Sequence, residues 1–157
     1  MIEEFKTLRD DEIEVLLNAP VLVSILIAGA DDKIDNSEIK QAVEIANNKQ
    51  SRAREQLVDY YKEVGTTFYD KFVAYAAKMP KDASARSEQI TQELRKLNHI
   101  LPKIDRNFAI KLHASLRDMA KKVAEASGGL LGYMSVSYEE AKLMELRMID
   151  DPQEYRD

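Results

Sequence analysis

Between Leu57 and Met79 the apolar side chains recur at Leu57, Tyr61, Val64, Phe68, Phe72, Tyr75 and Met79, always three or four residues apart. That spacing gathers all seven on one side of an α-helix, whereas a strand would scatter them over both faces. One long helix with one buried stripe is the expectation. Gly65 falls inside the stripe without shifting its phase, so the helix should run through it at a cost of about 1 kcal/mol relative to alanine. A second stripe, Phe108, Leu112, Leu116, Met119, Val123 and Ala126, predicts another long helix from about Asp105 to Ser127. Ile90, Leu94, Leu97 and Leu101 mark a third. No segment alternates with the period of a strand, and the fold class expected is all-α: a multi-helix bundle forming a single domain over residues 1–157.

The prolines punctuate this pattern. Pro80 and Pro102 should close the helices before them, because the ring removes an amide donor and disfavours helical geometry in the preceding residue. By the same reasoning Asn18-Ala19-Pro20 should separate a short acidic helix, about Asp10 to Leu17, from the apolar stretch Ala19 to Ala30, with Pro20 near a first helical position. That stretch is well under the roughly 20 residues that span a bilayer, so a core helix is expected and no transmembrane segment. Lys81 to Ser87 and Gly128 to Ser135 read as the loops long enough to carry a site. Residues 151–157 read as a polar, frayed end.

Composition removes chemistries without supplying one. The chain has no cysteine, which excludes disulfides, thiolate metal sites and cysteine nucleophiles, and fits a reducing cytoplasm. Met1-Ile2-Glu3-Glu4-Phe5 lacks the basic and then apolar order of a secretory signal, so a cytoplasmic location is expected. His99 and His113 read as boundary residues of helices, and no glutamate stands three positions before either, as carboxylate metal sites in helical bundles require. The net charge of −5 divides unevenly: residues 1–70 carry −7, 71–122 carry +7 and 123–157 carry −5. The basic middle should lie against acidic neighbours or solvent, or else receive an acidic partner. Nucleic acid is not expected, because the chain is acidic and its basic residues are not interleaved with stacking aromatics.

Two stations could carry chemistry. In Ala28-Gly29-Ala30-Asp31-Asp32-Lys33-Ile34-Asp35-Asn36-Ser37-Glu38 an apolar helix runs into a turn with Asp31, Asp32, Asp35 and Glu38. Hard divalent cations such as Ca2+ take oxygen ligands, and a turn can bring these four carboxylates to one point. It is not an EF-hand, for Asn36 and Ala42 stand where that loop needs glycine and glutamate. The same residues can instead form a capping box, Asp35 capping the next helix and Glu38 returning a bond to its amide. The second station turns through Gly128, Gly129 and Gly132 into a helix start at Ser137 with Glu139 and Glu140; its glycine spacing matches no phosphate loop, and a structural turn is expected. Ile34-Asp35-Asn36-Ser37-Glu38 and Val136-Ser137-Tyr138-Glu139-Glu140 share the order apolar, cap, two free positions, glutamate, which a weak internal duplication would explain.

Ala30-Asp31-Asp32-Lys33-Ile34 with Glu38, followed by Ala124-Glu125-Ala126-Ser127-Gly128-Gly129-Leu130-Leu131-Gly132 and Val136-Ser137 with Glu139-Glu140, resembles the TerB-like family, named for bacterial tellurite resistance. The matching motifs cover about a third of the chain. The resemblance implies an all-helical fold, a cytoplasmic or membrane-peripheral setting, a link to stress resistance and a divalent-cation site at Asp31, Asp35 and Glu38. Asp32 replaces the family's glycine and adds a carboxylate. Gly132, Tyr133, Met134 and Ser135 replace acids in the second half, so only Glu139 and Glu140 could complete a two-sided site. The expected function is a non-enzymatic helical binding module that takes Ca2+ or another divalent cation at this turn and presents a surface to a protein partner. The alternative is a metal-free structural or interaction domain in which the acids only cap helices.

Overall fold

The computed structural model describes residues 2–28, 36–52, 55–127 and 143–155, and among them there are helices and turns but no strand. The helices are α1 (Asp10–Ala28), α2 (Asn36–Arg52), α3 (Val58–Lys78), α4 (Ala83–Arg95), α5 (Leu97–Ile100) and α6 (Arg106–Ser127), with short 3-10 turns at Glu3–Phe5, Glu55–Leu57, Leu101–Lys103 and Pro152–Glu154. The fold is the all-α bundle expected. α3 and α6 match the two stripes closely, and Gly65 lies within an unbroken α3. Asp105 caps α6 by accepting from the Phe108 amide at 2.9 Å.

α1 occupies the middle, packed against α3, α4 and α6, and α2 lies across α3 and α6. Every residue of α1 from Asn18 to Ala28 is buried, as a helix with neighbours on several sides requires. The stripe of α6 supplies Phe108, Leu112, Leu116, Met119 and Val123 to that core, and the stripe of α3 supplies Tyr61, Val64, Phe68 and Phe72. An aromatic cluster ties the N-terminal turn in: Phe5 meets Phe108 edge-on at 5.5 Å and Tyr60 at 6.1 Å, while Tyr60 and Phe108 stand 6.2 Å apart.

Four expectations need correcting, the last of them at the C-terminal turn. Pro20 does not separate two helices but sits inside α1. Its ring leaves the Leu16 carbonyl without the usual amide four residues on, and the buried Tyr60 hydroxyl donates to that carbonyl at 2.6 Å instead. A partner on α3 thus replaces the bond that proline removes. Lys81 to Ser87 is not a loop either: Asp82 accepts from the Ala85 amide at 2.9 Å and starts α4 at once. Arg86, also buried, donates to the carbonyls of Pro80 and Lys81, which fixes the turn from α3. The third stripe is broken at Lys96 into α4, α5 and the Leu101–Lys103 turn, although Ile90, Leu94, Leu97 and Leu101 all remain buried.

Residues 151–155 form a docked turn in place of the expected frayed end. Asp151 caps Pro152–Glu154 through the Gln153 amide at 2.9 Å, Pro152 is buried, and Arg106 donates to the Gln153 carbonyl at 2.9 Å. Just upstream, Asn98 grips the chain from both sides, donating to the Met148 carbonyl and accepting from the Asp150 amide. Leu146, at φ 49, accepts a left-handed backbone conformation, and its side chain is fully buried.

Candidate functional site

Among the described residues, α2 and α6 enclose a cleft of about 660 Å3. Helical spacing builds both walls. On α2, Ile45, Asn48 and Lys49 lie three and four residues apart on one face. On α6, Ile110, Ala114 and Asp118 recur every four residues, with Lys111, Ser115 and Lys122 alongside. Leu57 closes one side, and Gln153 of the docked C-terminal turn reaches the rim. Because α2 buries only the small side chains of Ala42 and Ala46 among its described positions, its larger residues are left at the edges of the contact with α3 and α6.

Inside the cleft, Lys49 donates to Asp118 Oδ2 at 2.5 Å, and Lys122 approaches the same oxygen at 3.1 Å. The Lys49 side chain is only 12% exposed, so its ammonium is largely withdrawn from water. Partial desolvation pulls the Asp118 carboxyl upward, but the hydrogen bonds and charges of Lys49 and Lys122 outweigh it and hold the group below its ordinary value. Lys111 is held by the neutral carboxamide of Gln56 at 2.7 Å. Ser115 shares a 2.5 Å hydrogen bond with Tyr61, whose hydroxyl burial pushes well above its ordinary range and so keeps neutral.

Long-range ion pairs show how the uneven charge of the sequence is spent. Glu12, in the acidic first segment, meets Lys103 of the basic middle at 2.6 Å, and its hydrogen bond to Lys103 lowers its pKa first, aided by the Arg9 amide. Lys49 and Asp118 make the reverse exchange. Part of the basic segment therefore lies against the rest of the fold, while Lys111 and Lys122 line the cleft.

Of the histidines, His99 is exposed near the end of α5, and His113 is buried on α6 with Nδ1 3.9 Å from Asp151. Desolvation lowers the His113 pKa against the pull of Asp151, with Arg117 adding to the lowering. The neutral imidazole is the favoured form.

Of the residues singled out for a cation, one lies on a described element. Glu38 lies in the first turn of α2, while Asp31, Asp32 and Asp35, like Glu139 and Glu140, lie outside the described residues. So do the glycine turn, the helix start at Ser137 and with it the second half of the suggested duplication. The cleft itself was missed in the sequence, where Lys49 and Asp118 are far apart and belong to no shared motif. Comparison with protein-family models, with curated proteins and with solved structures finds no match.

Proposed function

We propose that the chain is a non-enzymatic helical binding module whose recognition surface is the cleft between α2 and α6. The observation that carries this reading is the cleft itself: its size lies in the roughly 300–1,000 Å3 range of small-ligand sites, and its apolar walls converge on a few fixed polar groups. Screening the full chain with a chemically mixed fragment library, followed by amide shifts in NMR spectra, tests it without assuming a ligand. Hits are expected to cluster at Ile45, Lys49, Leu57, Ile110 and Ser115. Hits scattered over the surface, or none at all, would remove the cleft as the site.

The carboxylate density of Asp31, Asp32, Asp35 and Glu38 favours a second reading, in which the module takes Ca2+ or a similar cation just ahead of α2 and uses it to present a surface to a protein partner. The TerB-like resemblance supports this reading and the cytoplasmic, stress-related setting that goes with it, and Glu139 with Glu140 would be the second half of such a site. Calorimetric titration with calcium and magnesium should then give saturable heat that Asp31→Asn, Asp35→Asn and Glu38→Gln together abolish in a protein that stays helical. Absence of heat at millimolar cation would leave these acids as helix caps.

A further inference from the structure

We infer that the α2–α6 cleft takes a small amphiphilic organic anion, its acid head at Lys49 and Lys122 and its apolar body on Ile45, Leu57, Ile110 and Ala114. The inference rests on the cleft being the recognition surface and names what that surface reads.

The charge balance of the lining points to an anion. Three lysines and one aspartate line it, and Lys49 and Lys122 share a single oxygen of that aspartate. One carboxylate offsets one ammonium, so the pair remains cationic as a unit. Lys111, held by the neutral Gln56 side chain and about two helical turns before Asp118, adds a further charge to the lining. This local excess stands in a chain whose net charge is −5, and its α6 lysines belong to the segment 71–122 that carries +7. With the Lys49 ammonium mostly shielded from solvent, salt screens its attraction to a bound anion less than it would at an open surface.

The rest of the lining points to an organic anion. Ile45, Leu57, Ile110 and Ala114 supply an apolar surface that a bare inorganic ion could not cover. Asp118 holds Lys49 and Lys122 together through one carboxylate oxygen. An incoming phosphate or carboxylate would share or displace that contact.

Octyl phosphate below its micelle concentration, octanol and inorganic phosphate, each titrated into the full chain and followed by amide shifts, separate the two contributions. Octyl phosphate is expected to saturate with shifts on α2 and α6, at least ~10-fold tighter than either partial probe. Lys122→Gln should weaken it about tenfold, and Lys111→Gln, about two helical turns from Asp118, by less. Asp118→Asn should tighten it roughly fivefold, a change of opposite sign that loss of folding could not produce. Octanol binding as well as octyl phosphate would show that the lysines are not read, and inorganic phosphate doing so would show that the apolar wall is idle. Either result, or Asp118→Asn weakening in step with the lysine variants, overturns the inference. If fragments of other chemistry still seat in the cleft while octyl phosphate does not, the ligand class fails and the recognition surface stands; silence from both removes the surface as well.

Discussion

Phe108→Ala is expected to destabilise the protein by about 3–5 kcal/mol, the largest effect of any single change argued from this structure. Phe108 is fully buried and meets both Phe5 and Tyr60 edge-on, so truncation opens a cavity and removes two oriented ring contacts together. For a domain of this size that corresponds to a fall of roughly 10 °C in melting temperature. Urea unfolding of both proteins measures it, and an unchanged slope with a lower midpoint would assign the loss to the folded state. A loss below about 1 kcal/mol would mean that the N-terminal turn and α3 close over the vacancy.

Tyr60→Phe should cost about 1–3 kcal/mol, although it removes a single oxygen. That hydroxyl is the donor to the buried Leu16 carbonyl, which Pro20 cannot serve. The prediction has a stringent partner. Pro20→Ala restores an amide four residues after Leu16, so adding it to Tyr60→Phe should recover much of the loss, and the double-mutant cycle should be clearly non-additive. Additive effects would show that the Tyr60 hydroxyl stabilises the core by some other route. Denaturant midpoints for the four proteins, with helicity checked by circular dichroism, decide between the two.

The contrast between these two sites shows what the sequence could reveal. Phe108 was legible as a core residue because its neighbours on α6 repeat with a helical period, and periodicity is a local property. The same logic located α3, carried it across Gly65, and identified the third stripe. Pro20 was misread because its compensation comes from Tyr60, in another helix and on no pattern that a scan of neighbouring residues detects. Asp82 is a local signal that competes with the loop expected over Lys81 to Ser87: an aspartate followed by Ala-Ser-Ala is a plain helix start. The acidic turn was conspicuous in sequence because its carboxylates are contiguous. The cleft was not, since Lys49, Asp118 and Gln153 converge only when α2, α6 and the C-terminal turn are assembled.

The central position of α1 has a consequence for the order of events on the ribosome. α1 ends at Ala28, yet α6, one of the helices that cover it, begins only at Arg106. At about 5–20 residues per second the nascent chain carries one of its most apolar helices for several seconds before that cover is made. During this interval α3 and α4 can shelter only part of it, and Phe5 waits equally for Phe108. Synthesis therefore passes through a vulnerable window that closes when α6 emerges, which makes that helix the step on which the sheltering of α1 during translation depends.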